Sequence, residues 1–220
     1  MILDFHAHVL PEIDHGSDSL KTSIQQLELA RKCGITDIVA TPHFYPQSNS
    51  ANSFLERREV AYDLLLNRTR ELGVNVLLGA EVLMCNAIES YPQIDRLCIR
   101  GTKILLLELP YFDFQTGYCR SIFNLISNGY EVVMAHADRY DPSWIRETIE
   151  AGAKLQLNAA AFSLFSRKRY LSWLENGEVV AIGSDIHGAN KMAYRAFLSA
   201  SRFISRYPAI TDFSNRILNN

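Results

Sequence analysis

Seven short runs of aliphatic and β-branched residues recur along the chain. They are ILDFHAH (2–8), TDIVATPH (36–43), VNVLLGAEV (74–82), KILLLELP (103–110), EVVMAHA (131–137), KLQLNAA (154–160) and VVAIGSD (179–185). Most are apolar on both faces, the pattern of strands buried within a parallel sheet. The segments between them carry helical periodicity. In DSLKTSIQQLELARKCG, Leu20, Ile24, Leu27 and Ala30 fall on one stripe and Gly34 follows as a stop. NSFLERREVAYDLLLNRTRELG ends the same way at Gly73, and Pro142 opens PSWIRETIEAG where its missing N–H does no harm. Further helical patterns lie in GYCRSIFNLISNG, around LFSRKRYLSWLENG, and in NKMAYRAFLSASRFISRY. Strand and helix alternate without a linker, a repeat or a low-complexity break. One α/β domain over residues 1–220 is therefore expected, as an open doubly wound sheet or a closed barrel.

Composition narrows the classes. With 48% hydrophobic and 21% charged residues the chain has the makings of a folded core rather than of disorder. A net charge of −2 without a basic stripe gives no footing to a nucleic-acid partner. The start lacks a signal-peptide pattern, and no apolar run is long enough for a bilayer, so no membrane insertion is expected. Cys33, Cys85, Cys98 and Cys119 have no C-x-x-C spacing and read as reduced thiols of a cytoplasmic protein.

The strand ends decide between sheet and barrel. His6 and His8 end the first run, His43 the second and Glu81 the third; Glu108 ends the fourth, His136 and Arg139 the fifth, and Asp185 and His187 the seventh. Catalytic groups converge on that rim in βα barrels, which favours the barrel. Asp4 is expected on the face of His6 by its period-two spacing, and Gly16 is expected to let the chain turn sharply after His15. Burying so many carboxylates together without a cation would cost several kcal/mol each. Imidazole and carboxylate without thiolate suit manganese, iron or zinc, and the number of ligands implies two or three divalent ions.

These residues resemble the PHP (polymerase and histidinol phosphatase) superfamily, and within it the bacterial manganese-dependent protein-tyrosine phosphatases of capsule and exopolysaccharide gene clusters. The resemblance rests on HAHVLPEIDHG, GITDIVATPHFYP, LLGAEV, LLLELP, AHADRYD, LQLNAAAF, AIGSDIHG and FSNRILNN. It implies a distorted (β/α)7 TIM-like barrel and hydrolysis of a phosphomonoester by a metal-bound hydroxide at a trinuclear site. Carried over, His6, His8, Glu108 and Asp185 would hold one ion; His43, His187 and His15 a second; Glu81, Glu108 and His136 a third, with Glu108 bridging. Arg139 would bind the substrate phosphate. The implied partner is a tyrosine-phosphorylated bacterial protein kinase or its tail; Arg57, Arg58, Arg167 and Arg169 are available to dock a protein, but read first as ordinary solvated helix faces.

Two positions depart from the family pattern. Asp14-His15-Gly16 stands where the family has Asp-Asp-Gly, so an imidazole replaces a carboxylate ligand at His15, with Asp14 as the alternative ligand; GANKMAYRAF offers Lys191 or Arg195 where a second phosphate-binding arginine usually lies. Histidinol phosphate or another small phosphomonoester is the alternative substrate, and a non-catalytic metal-binding regulatory module is the alternative from another class. A cysteine-nucleophile phosphatase is excluded, because none of the four cysteines has an arginine six residues on.

Overall fold

The computed structural model describes residues 3–163 and 166–219. All seven expected strand positions are present, the first described from Leu3 onwards, and two of them are broken. In chain order the strands are β1 (Leu3–Ala7), β2 (Asp37–Ala40), β3 (His43–Phe44), β4 (Asn75–Leu78), β5 (Glu81–Leu83), β6 (Ile104–Glu108), β7 (Glu131–Met134), β8 (Lys154–Asn158) and β9 (Val179–Gly183). The second run splits at Thr41-Pro42, where proline has no N–H for the ladder, and the third splits alongside it at Gly79-Ala80. Two parallel sheets result, β1-β2-β4 and β3-β5-β6-β7-β8-β9. Their ends are joined: Asp185 N donates to His6 O at 2.8 Å beside β9, and Arg100 N donates to Leu78 O at 2.8 Å between β4 and β6. The strand positions thereby form a distorted (β/α)7 ring.

The helices are α1 (Leu20–Lys32), α2 (Ala51–Leu72), α3 (Thr116–Ser127), α4 (Pro142–Glu150), α5 (Leu171–Glu175), α6 (Lys191–Ile204) and α7 (Pro208–Leu218). Their ends follow the expected chemistry. Ser19 caps α1 by accepting from Thr22 N, Gly73 closes α2 in the left-handed region at φ 61°, and Asp141 caps α4 ahead of Pro142. Of the helical stretch expected around residues 164–177, Leu164 and Phe165 lie outside the described residues. The remainder is a 3-10 turn, Arg167–Tyr170, followed by α5. Helix α7 was not expected from the hydrophobic pattern.

Two apolar layers show which way the strands face. Leu3, Phe5, Val39, Ile104, Leu106, Val133 and Val180 cluster inside the ring. Phe213 and Ile217 of α7 join that cluster and Phe213 packs 5.4 Å from Phe5, so α7 plugs one end of the barrel. The alternate residues, such as Ile38, Leu105, Leu107, Leu155 and Leu157, belong to the outer layer beneath the helices. By the same alternation Glu108, Gln156 and Asn158 fall on the inward face. No helix among the described residues is long and apolar enough to cross a membrane.

Candidate metal centre

The open end of the barrel gathers the expected residues. The register places His43 opposite Glu81, and Leu83 opposite Glu108. At the ends of β7 and β9, His136 (φ 32°) and Asp185 (φ 49°) take left-handed backbone conformations that turn their side chains onto the rim. Non-glycine residues adopt these at a cost, and such strain concentrates at functional sites. Two glycines make room for the histidines. A Cβ on Gly16 would lie 2.0 Å from His8 Cβ, and one on Gly183 would lie 2.5 Å from His6 Cβ. Gly16 lies in the expected bend and is required there by close approach rather than by a left-handed backbone, since it is not among the positive-φ residues.

Glu81 is the central carboxylate. Its Oε1 lies 2.7 Å from His136 Nε2, while Oε2 lies 3.0 Å from His43 Nδ1 and 3.2 Å from both His6 Nε2 and His8 Nε2. Asp185 Oδ1 stands 3.4 Å from His8 Nε2 and 3.6 Å from His187 Nδ1. Glu108 sits at the edge, 3.4 Å from His136 Nε2 and 3.7 Å from His43 Nδ1, and is more exposed than Glu81. His15 lies on the same rim, its ring stacked 4.8 Å from His43 and tilted 4.6 Å from His187, and is exposed. Arg139 is ion-paired with Asp185. Lys191 opens α6 and Arg195 lies one turn on; both are exposed.

Burial and charge oppose each other here. Burial alone would depress His8, but the neighbouring carboxylates of Asp14, Asp185 and Glu81 outweigh it and hold His8 well above the usual imidazole range. His136 is raised to about 9, since Glu108 and Glu81 likewise overcome burial. Against the effect of burial, the histidines hold Glu81 well below the usual carboxylate range, and His6, His8 and Arg139 do the same for Asp185. His43 goes the other way: burial lowers it to about 4, so its imidazole is neutral at pH 7.

The donor set fits divalent metal ions. His6 Nε2, His8 Nε2 and Glu81 Oε2 form a triangle with edges of 3.1, 3.2 and 3.2 Å. Octahedral donors about 2.1 Å from a common ion would stand roughly 3.0 Å apart. Two further groups have ligand atoms close enough to share an ion: His8, His43 and His187, and His43, Glu81 and Glu108. His43 Nδ1, Glu81 Oε2 and His187 Nε2 are buried and make no hydrogen bond within the described residues, as atoms reserved for another partner would.

Further polar residues surround the ligands. Asp14 Oδ2 accepts from His8 Nδ1 at 2.8 Å and from His43 N at 3.0 Å, and Oδ1 accepts from Gly16 N, so Asp14 props the ligands. The expected role of Asp4 is corrected. A register shift between Asp4 and Ala7 breaks the period-two alternation, and Asp4 pairs with the outward-facing Ile38. Its Oδ1 accepts from Ser184 N at 2.7 Å, while His6 Nδ1 is met by Gln156 Oε1 at 3.0 Å. The polar alternation in Lys154-Leu-Gln-Leu-Asn158 was the available signal for β8. A separate depression of about 940 Å³, lined by Lys103, Glu131 and Arg216, lies beside the plugged end and gathers no comparable chemistry.

With this geometry the sequence can be set beside known proteins. The family described as "Capsular polysaccharide synthesis, CpsB/CapC" matches residues 2–212. The chain belongs to the CpsB/CapC family. Among CpsB/CapC relatives, the tyrosine-protein phosphatase YwqE of Bacillus subtilis is 27% identical over 100% of this chain and 92% of its own. The tyrosine-protein phosphatase CpsB of Streptococcus pneumoniae is 26% identical, covering 84% of this chain and 83% of its own. A solved structure from work on these two, titled as metal-dependent tyrosine phosphatases, superposes with a TM-score of 0.79 at 24% identity, covering 99% of this chain and 94% of that one. The CpsB/CapC barrel is thus the fold of this chain.

Proposed function

We propose that this chain is a metal-dependent phosphomonoester hydrolase, a single phosphatase domain that removes phosphate from tyrosine in proteins of capsule or exopolysaccharide synthesis. The convergence of His6, His8 and Glu81 donor atoms at 3.1–3.2 Å carries the reading, because buried nitrogens and a carboxylate so arranged call for a cation. The remaining proposed ligands are His43, Glu108, His136, Asp185 and His187, with His15 at the edge of the His43–His187 group and Glu81 as the bridge. Two or three ions, manganese by preference, suit this set of imidazoles and carboxylates.

Bound divalent ions supply a nucleophilic water at neutral pH and screen the charge of the phosphoryl group. The chain's own residues do the rest. Arg139, held on the rim by Asp185 and 44% exposed, grips the phosphate through paired N–H donors. Asp14 fixes the ring of His8, and the left-handed turns at His136 and Asp185 aim their side chains at the rim. A tyrosine leaving group has a parent pKa of about 10 and needs little protonation, so a site without a dedicated acid serves aryl phosphates well. The partner envisaged is a tyrosine-phosphorylated protein, such as a kinase tail.

The purified protein, assayed with manganese and then with chelator, tests this directly. A phosphotyrosine peptide and p-nitrophenyl phosphate are expected to be hydrolysed, in preference to histidinol phosphate. Arg139→Ala is expected to lower aryl phosphate turnover by about 1.5–3 kcal/mol of lost phosphate contact with metal content unchanged. Metal-independent turnover, or a preference for histidinol phosphate, would overturn the proposal.

A further inference from the structure

Strand β8 contributes no ligand to the proposed centre, yet it places two buried polar side chains, Gln156 and Asn158, on the inward face. The backbone N–H of His136 is a donor whose identity is fixed. It donates to Gln156 Oε1 at 2.7 Å. Only the oxygen end of an amide can accept from a peptide N–H, so the orientation of Gln156 follows. That oxygen also lies 3.0 Å from His6 Nδ1. It carries no hydrogen, so His6 Nδ1 is the donor. In neutral His6 the bare lone pair is then on Nε2, facing His8 Nε2 and Glu81 Oε2. At its other end Gln156 Nε2 donates to Asn158 Oδ1 at 3.2 Å, and Asn158 Nδ2 donates to Asp185 Oδ2 at 3.2 Å. One peptide N–H therefore dictates the polarity of a chain that reaches both His6 and Asp185.

We infer that Gln156 is a positioning residue that holds His6 in its Nδ1–H tautomer and, through Asn158, orients Asp185. The inference rests on the metal-centre reading above. It also sets apart the two histidines of β1. His8 is backed by the carboxylate of Asp14, whereas His6 is backed by a neutral amide that orients it without adding charge. Outer partners of this kind fix ligand tautomers, and their loss weakens metal binding about 10–100-fold.

Long-range 15N–1H correlation spectra of the wild-type protein read the tautomer without any metal. His6 is expected to carry its hydrogen on Nδ1. Gln156→Met, close in volume but without either polar end, is expected to mix the tautomers and to weaken manganese binding at least about tenfold by titration calorimetry. Gln156→Glu retains an oxygen for both N–H donors and is expected to keep the Nδ1–H tautomer. An Nε2–H tautomer in the wild type overturns the inference, as does a folded Gln156→Met protein with wild-type affinity. Should Gln156→Met fail to fold, the wild-type spectrum decides alone. Should manganese not bind the wild type, the metal reading fails, while the spectrum still tests Gln156.

Discussion

Glu81 and Glu108 are both acids at strand ends, and only their surroundings tell them apart. Glu81 touches His6, His8, His43 and His136 within 3.2 Å, while Glu108 approaches two histidines at 3.4 and 3.7 Å. Glu81→Gln is therefore expected to lose more metal than Glu108→Gln when stoichiometry is counted by native mass spectrometry; the reverse order would favour Glu108 as the bridge. His15 makes a second contrast. Histidine binds metal only when neutral, and its reference pKa of about 6.5 lies above the roughly 3.9 of aspartate. His15→Asp is expected to keep activity and extend it to lower pH, whereas His15→Ala is expected to lose an ion and most of the rate. Unchanged metal content and rate in His15→Ala would leave His15 outside the centre. The gathering of ligands was legible because histidines and acids are conspicuous at the ends of apolar runs. Gln156 and Asn158 were less so: their alternation with leucines marks a polar strand face, but uncharged amides do not reveal partners that are distant in sequence.

At the scale of elements, the seven strand positions followed from hydrophobic runs, and the helix ends from caps and glycines. Two things did not. Helix α7 packs Phe213 and Ile217 into the barrel interior, and nothing in its short periodicity distinguishes a plug from a surface helix. The register shift in β1 could not be seen either, because strict alternation assumes an unbroken ladder. That shift turns Asp4 outward into a fully buried site, where burial raises its pKa to about 7 despite hydrogen bonds from Ser184. The folded state thus holds this proton more tightly than the unfolded chain. The stability contribution is fully present below pH of about 4 and is lost as pH rises towards 7. Asp4→Asn keeps an oxygen for Ser184 N and removes that loss. The variant is expected to melt higher than wild type at pH 8, by about 2–4 °C for each kcal/mol recovered, and to match it near pH 4. Calorimetric melting at the two pH values checks this; an equal difference at both would rule out the titration of Asp4 as the cause.

For the whole molecule, protons and metal ions compete for one set of atoms. His8 is held well above the imidazole range and His136 at about 9, so at pH 7 both imidazoles are protonated on the polypeptide alone. Ligation needs them neutral. Loading manganese at pH 7 is expected to release protons, and affinity is expected to fall on acidification. Calorimetry in two buffers of different ionisation enthalpy measures the release directly, and heats that do not depend on the buffer would contradict it.

The join between β1 and the end of β9 has a bearing on how the protein is made. His6 and His8 emerge from the ribosome before Asp185 and His187, which follow β9, and Asp185 N to His6 O is one of the bonds that closes the ring. A nascent chain that has not yet extruded β9 cannot assemble the whole centre, so capture of the full set of ions must await that strand. The ions would then act as a clasp between an earlier-made and a later-made strand of the barrel. A bound ligand at about 100 times its Kd adds about 2.7 kcal/mol to the folded state. That increment would fall on the seam, the place where a ring built from a linear chain is most easily reopened.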